Sequence, residues 1–486
     1  MRARGMAPLV MAVAMTMTLV PTLPATSAPG KGEPVLRLMA TKTEATAARY
    51  GRRAARLDSV LFVGVTGGAL DLRVRRASFA DPLALTQVVQ SAGGASERTL
   101  PAELLDGWRG LDNFFRVKVT DAAGQIAWSE LVTFCPNGYY RQRLDDTGPD
   151  IPTFPDHCYA SPRLLGMTWG VDRSWAVAAP ARGLRLPVPD GRYDVEIAIV
   201  PTYRDLFGVA SEDASVRLAV TVETYEDCDH CWHPHSRRVA EQGPPEQGVP
   251  DMAAPDDSVL PDLRTLPSFS IRTRNRRNGR SYIDFAATVW VSGSSPLVVE
   301  GFRRSDEAVM DAYQYFYENG EPVGRAPAGA FEYDLRDGHE HWHMLQFVRY
   351  QLLDADQANA IRSKKESFCL VPTDAVDLSW DHSELTAERA DLHTSCGGPD
   401  ALWIRETLPV GWGDTYYQSG RYGFEITDVP NGTYFVEVAA NPDGLLHEQD
   451  ATNNVSLREI MLRGKPGKRE VIVPDPYGID GDRFGR

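Results

Sequence analysis

The chain is cut into short alternating or apolar runs separated by Gly, Pro and Asp, a punctuation that leaves little room for helices. Ser59-Val-Leu-Phe-Val-Gly-Val65, Phe114-Phe-Arg-Val-Lys-Val119 and Arg192-Tyr-Asp-Val-Glu-Ile-Ala-Ile199 are of this kind. Tyr282-Ile-Asp-Phe-Ala-Ala-Thr-Val-Trp-Val291 and Gly432-Thr-Tyr-Phe-Val-Glu-Val-Ala439 continue the pattern further on. Period-two runs bounded by turn residues are the mark of strands with one buried face, and many in succession predict sandwiches. The expected fold class is all-β, with an N-terminal β-sandwich-like domain followed by a second β-sandwich domain with long loops.

At 486 residues the chain is long enough for two or three domains, each with its own core. Arg2 and Arg4 precede an apolar run from Met6 to Val20, and small and Pro-rich residues follow to Ala28, so 1–28 reads as a signal peptide. The run is too short for a comfortable membrane span, and no later segment approaches the required length. The expected product is secreted, with no integral membrane segment after signal cleavage. An accessory domain is expected over 34–226. A polar linker over 227–258 is centred on Gly243-Pro-Pro-Glu-Gln-Gly248. The second domain covers 259–463, and 464–486, rich in Gly, Pro and charge, reads as an irregular tail. Val188-Pro-Asp-Gly-Arg-Tyr-Asp-Val-Glu-Ile-Ala198 and Val429-Pro-Asn-Gly-Thr-Tyr-Phe-Val-Glu-Val-Ala439 are alike. Duplication accounts for that, and so does shared turn chemistry.

A net charge of −15 argues against nucleic acid as a partner, since phosphate binding needs concentrated Lys and Arg. The six cysteines suit an oxidising destination. Near neighbours suggest the pairs Cys135–Cys158, Cys228–Cys231 and Cys369–Cys396, the last closing a loop worth about 3–4 kcal/mol by chain entropy. The chain has only ten histidines, and three alternate in Asp337-Gly-His-Glu-His-Trp-His-Met344. On a strand, His339, His341 and His343 would share one face about 7 Å apart and could converge on one metal ion. Neutral imidazole suits Cu(II), Zn(II) or Ni(II), with copper at the top of the affinity order. A polar edge strand is the plainer account of the same residues.

From these histidines onward the second domain resembles the catalytic domain of the lysyl oxidase family, the secreted copper amine oxidases, over about Val259 to Arg463. His339-Glu-His-Trp-His343 matches the family's copper strand, with Tyr350-Gln-Leu-Leu-Asp354 downstream. Lys365-Glu-Ser-Phe-Cys-Leu370, Asp414-Thr-Tyr416, Glu425-Ile-Thr-Asp-Val429 and Glu448-Gln-Asp-Ala-Thr-Asn-Asn-Val455 follow in the family's order.

The resemblance implies Cu(II) on His339, His341 and His343. It also implies a lysine tyrosylquinone cofactor made from Lys365 and Tyr416, with Lys364 and Tyr417 as the neighbours to be told apart from them. The implied reaction turns primary amines, free or as peptidyl lysine, into aldehydes, consuming O2 and releasing H2O2 and ammonia. Asp414, two residues before Tyr416, is a candidate base. A turn-forming Asp or a partner for a metal-bound histidine are the other roles open to it.

A structural calcium site is implied at Asp262, Glu448, Asp450, Asn453 and Asn454, with the carbonyl of Leu263. A loop of Asx turns without an ion is the other reading. The chain also departs from the animal pattern: position 338 is glycine where a cysteine is usual, and Cys369 and Cys396 are the only cysteines of this domain. The tract Cys228-Asp-His-Cys-Trp-His-Pro-His235 offers two thiols and three imidazoles to a metal, although a local disulfide suits a secreted protein better.

The reading that follows is a secreted copper- and quinone-dependent amine oxidase. A secreted copper-binding or adhesive β-sandwich without oxidase activity is the alternative, and it would need neither Lys365 nor Tyr416. A copper monooxygenase would need a second set of metal ligands, which this domain does not offer.

Overall fold

The computed structural model describes residues 32–51, 53–57, 60–91, 94–138, 140–149, 151–180, 183–225, 249–303, 309–335, 340–380, 382–384, 392, 394–474 and 478–481. The expected signal peptide, Cys228, Cys231 and His339 lie outside these residues. The fold is all-β, and the described residues contain one α-helix, Pro201–Phe207. Pro201 opens that helix, Gly208 ends it in the left-handed region (φ 61°), and Tyr203 and Phe207, one turn apart, are its buried side chains.

Among the described residues, strands between 34 and 225 form two four-stranded sheets and one seven-stranded sheet around one large apolar cluster, with Phe62, Ala176 and Ala178 in a smaller one. Strands between 261 and 472 form a six-stranded and a nine-stranded sheet that close over a second cluster. In the six-stranded sheet, Ser281–Gly293 is central and buried throughout; Pro261–Thr265, Phe269–Asn275, Trp412–Gln418 and Phe424–Glu425 all pair with it. In the nine-stranded sheet, Trp342–Leu353 lies between Glu321–Tyr333 and Gly432–Ala440, and it also pairs with Ala360–Phe368. Alternating apolar residues of both sheets, among them Phe285, Val289, Tyr350 and Val436, fill the space between them.

Two boundaries differ from the sequence reading. Residues 249–258, expected in a linker, pack on the strand Glu321–Tyr333, with Met252 N–H bonded to the Arg325 carbonyl at 2.7 Å. The expected irregular tail contains the strand Lys468–Ile472, which pairs with Val455–Lys465. The Gly-Lys-Pro-Gly-Lys run there is a hairpin turn (Gly464 φ 88°, Gly467 φ 76°), and turn residues of that kind read in sequence as irregular chain.

The two alike segments build the same corner. Tyr193 Oη donates to Pro189 O at 3.1 Å and Tyr434 Oη to Pro430 O at 3.0 Å. Each corner begins a strand that pairs with the next one, Ser215–Tyr225 in one case and Val455–Lys465 in the other.

Candidate active site

The strand Trp412–Gln418 carries the tyrosine motif. Val289 lies opposite Asp414 and Ala287 opposite Tyr416, so these two side chains share a face, while Tyr417 points away and is 63 % exposed. The Tyr416 ring stacks on Phe368 at 3.8 Å between centroids and 8° between planes. Its hydroxyl accepts from Cys369 N–H (3.2 Å) and donates to Cys369 O (3.1 Å). The next two amides are taken in the same manner: Leu370 N–H donates to Glu406 Oε2 at 2.9 Å, and Val371 N–H to Asp414 Oδ2 at 3.3 Å. Three consecutive peptide groups thus position one phenol and two carboxyls. The Cys369–Cys396 disulfide, with 5.9 Å between Cα atoms, anchors the segment. Cys135 and Cys158 form the other described disulfide.

Burial pushes the Glu406 carboxyl well above the usual range, and the charge of Asp414 adds to the effect. Burial also raises Asp414, despite its bond from Val371 N–H. The Tyr416 phenol is raised by burial first, then by Asp414 and Glu406. Two buried carboxyls whose charges oppose each other cannot both ionise cheaply, so each favours its neutral form more than an exposed carboxyl does. Among the described residues Glu406 Oε1 is buried without a hydrogen-bond partner, a polar atom left unsatisfied inside an apolar core.

The sign of a pH effect follows. A carboxyl with a raised folded pKa favours the fold below its unfolded pKa, and that contribution is lost as pH rises through the folded value. Glu406→Gln keeps an acceptor for Leu370 N–H and removes the titration. It is expected to match the parent in urea midpoint below about pH 4, where the carboxyl is protonated in both states, and to exceed it progressively at neutral and alkaline pH. Parallel midpoint curves across that range would show that Glu406 does not titrate in this way.

On the strand Ala360–Phe368, Lys365 lies opposite Arg349, and its side chain is outside the description. Its neighbour Lys364 enters the buried cluster. The Lys364 amine donates to Gln418 Oε1 at 2.6 Å and to Tyr422 O, pairs with Glu366 at 3.1 Å and sits 5.4 Å from the Tyr350 ring centroid. Burial lowers its pKa, opposed by Glu366.

His343 lies in the strand Trp342–Leu353, which begins one residue before it, and His341 occupies the preceding bend; His339 lies outside the described residues. The bend is fixed from outside. Asp334 N–H bonds to His341 O at 2.9 Å, and Trp342 gives its N–H to Cys396 O and its indole N–H to Gly398 O. The His341 and His343 rings still lie 4.7 Å apart, near enough to give one nitrogen each to a single ion with ligand bonds of about 2 Å. Asp334 Oδ2 is 3.6 Å from His343 Nδ1, where a carboxylate can orient a liganding ring. A cavity of about 470 Å³ lined by Glu332, Tyr333, Asp334, His343, Leu345 and Ser367 opens beside them. Met344 pairs with Phe368, so the histidines and Tyr416 are joined through one side chain.

The expected calcium residues come together from both ends of this part of the chain. Asn453 Nδ2 donates to Asp262 at 2.9 Å and to Asp450 at 3.3 Å, Asn454 Nδ2 donates to Glu448 at 2.8 Å, and Leu263 N–H to Glu448 Oε2 at 3.3 Å. Leu263 thus meets the cluster through its N–H. Among the described residues the amide oxygens of Asn453 and Asn454 are buried without hydrogen-bond partners, and hard oxygens beside three carboxyls suit a calcium-sized cation.

Sequence reasoning missed Glu406, Glu366 and Asp334. For Glu406 a signal existed: in Trp403-Ile-Arg-Glu-Thr-Leu408 it shares parity with Ile404 and Leu408, a glutamate on an apolar face.

Residues 314–471 match the family model for lysyl oxidase. The protein-lysine 6-oxidase of Homo sapiens is 30 % identical over 150 residues, 30 % of this chain and 32 % of that protein. Residues 314–471 of this chain are thus similar to the lysyl oxidase family. The protein-lysine 6-oxidase of Sus scrofa is likewise 30 % identical over 150 residues, 54 % of its length, and lysyl oxidase homolog 2 of Gallus gallus is 28 % identical over 162 residues, 18 % of its length. The chain therefore spans between about a fifth and about half of these relatives. The matched lysyl oxidase region contains His341, His343, Asp414, Tyr416 and the 448–454 loop, while Asp262 and Leu263 precede it.

Proposed function

We propose that this chain is a lysyl oxidase family member and a secreted copper- and quinone-dependent amine oxidase. It would convert primary amines, peptidyl lysine among them, to aldehydes with uptake of O2 and release of H2O2 and ammonia. The observation that carries the reading is the anchoring of Tyr416: its ring is stacked, its hydroxyl held at both ends by Cys369, and two acid side chains are fixed on the adjoining peptides. A binding module has no use for such an arrangement.

His341 and His343, with His339, would hold the copper, and Asp334 would orient the His343 ring. Tyr416 and Lys365 would supply the cofactor atoms. Copper and the quinone, when present, supply an electrophilic carbonyl and a sink for two electrons. Asp414 is the proton acceptor. Burial brings its carboxyl upward from the ordinary range, the direction a base working near neutral pH requires. Phe368 covers one face of the Tyr416 ring and excludes water there. Asp262, Glu448, Asp450, Asn453 and Asn454 would hold calcium and tie early and late strands together. Residues 34–226 would form the accessory domain and 259–463 the catalytic one.

Peptide mapping by mass spectrometry of the protein expressed with copper and air tests the reading. A covalent link between the peptides carrying Lys365 and Tyr416 is expected. Bound copper with both residues unmodified after ageing in oxygen would favour a metal-binding module instead.

A further inference from the structure

The N-terminal block reaches the Tyr416 strand directly. Residues 376–378 join the start of its edge strand Gly166–Val171 through a parallel bridge between Gly166 and Asp377: Leu165 N–H bonds to Val376 O at 2.7 Å, and Leu378 N–H to Gly166 O at 2.9 Å. Thr168 Oγ1 donates to Leu378 O at 2.6 Å. Gly166 permits the approach, because a Cβ there would collide with Asp377 Oδ1 and Ser379 Oγ. Arg163, almost fully buried, bonds to Asp374 Oδ1 at 3.2 Å and lies 4.6 Å above the Phe269 ring.

The same few residues hold the Tyr416 strand on their other side. Asp374 and Ala375 pair with Gly413 and Trp412, and Val376 and Asp377 N–H both bond to Gly411 O at 2.9 and 3.0 Å. Thr373 accepts from Thr415 N–H at 2.9 Å and donates toward Asp414 Oδ1 at 3.5 Å. Hydrogen bonds therefore run without a break from the N-terminal sheet to the Gly413 carbonyl and the Thr415 N–H, the peptide groups on either side of Asp414. Apolar packing follows the same route: Ala375, Leu378 and Trp412 belong to the N-terminal core cluster, and the Trp412 and Tyr159 rings meet edge to face at 5.4 Å.

We propose that the N-terminal block is a brace that sets the position of the Asp414–Tyr416 strand through residues 374–378, with Arg163 as its principal positioning residue. This goes beyond the amine oxidase reading and does not depend on it, since the brace acts on the apoprotein. A separately hinged binding module would instead meet the second block through a wet, replaceable contact. Here the contact comprises main-chain pairing, a buried ion pair and shared core residues.

Nitration by tetranitromethane of the full-length protein, expressed without copper, provides the test. Peptide mapping gives the ratio of modification at Tyr416, held by Cys369, to that at exposed Tyr417, an internal reference on the same strand. Arg163→Ala is expected to raise the ratio about fivefold, and Arg163→Lys, which keeps the charge beside Asp374, to return it most of the way. Deuterium uptake should rise over 411–418 and stay unchanged over Gly432–Ala440. A folded Arg163→Ala protein with the parent ratio would overturn the proposal, and so would uptake raised only around 163–171. Should Arg163→Ala fail to fold, Thr168→Val decides, since it removes one hydrogen bond with little change of volume. A rise of about twofold supports the brace, and an unchanged ratio overturns it.

Discussion

Tyr416→Phe is expected to bring amine oxidation down to background, while Tyr417→Phe keeps it within about twofold, as exposed positions away from a site do. The phenylalanine retains the stack on Phe368 but cannot form the quinone and leaves both Cys369 peptide groups without their partner. An accompanying loss of about 1–3 kcal/mol of stability follows from stranding buried peptide groups. Peroxide release from a simple alkylamine and urea unfolding read the two effects. Sustained peroxide release by Tyr416→Phe would remove Tyr416 from the chemistry, whatever its place in the fold.

The second large effect is expected at Asp414. Asparagine keeps an oxygen for Val371 N–H, and so keeps the segment that holds Tyr416, but it cannot take a proton. Turnover per cross-linked chain should fall about 10²–10⁴-fold, the range for losing a positioned general base, with little change in KM. An α-deuterated amine should then react more slowly still relative to its normal form. If Asp414 is only a scaffold, the yield of cross-linked chains falls instead, and those that do form turn over at the parent rate.

Much of this arrangement is written in local pattern. Period two puts Asp414 and Tyr416 on one face and Tyr417 on the other, and the strand has that register. The same period misleads at the histidines. Trp342, fully buried and bonded to Cys396 and Gly398, fixes where the strand begins, which leaves His341 in a bend. Lys364 illustrates a different failure. Its depth depends on Phe285, Tyr350 and Phe424, which come from three separate strands and which no window of sequence brings together. Arg163 and Asp374 are 211 residues apart, and each alone reads as a surface charge. Glu406 falls between these cases, since its parity in an apolar run was visible but its amide partner, Leu370, was not.

The strand Gly166–Val171 is buried at all six positions and stands at the end of its own sheet, where the Asn137 side chain covers the peptide groups of Thr168 and Gly170 and residues from the far half of the chain cover Gly166. During synthesis the N-terminal block is complete long before residue 374 exists, so for that interval the Gly166 end of the strand edge is bare, together with the apolar surface that later meets Ala375, Leu378 and Trp412. Such an edge is a template for pairing with another chain. The two halves are therefore tied in their biogenesis: a product truncated after the first block inherits an aggregation hazard that the full-length chain removes by completing its own sheet.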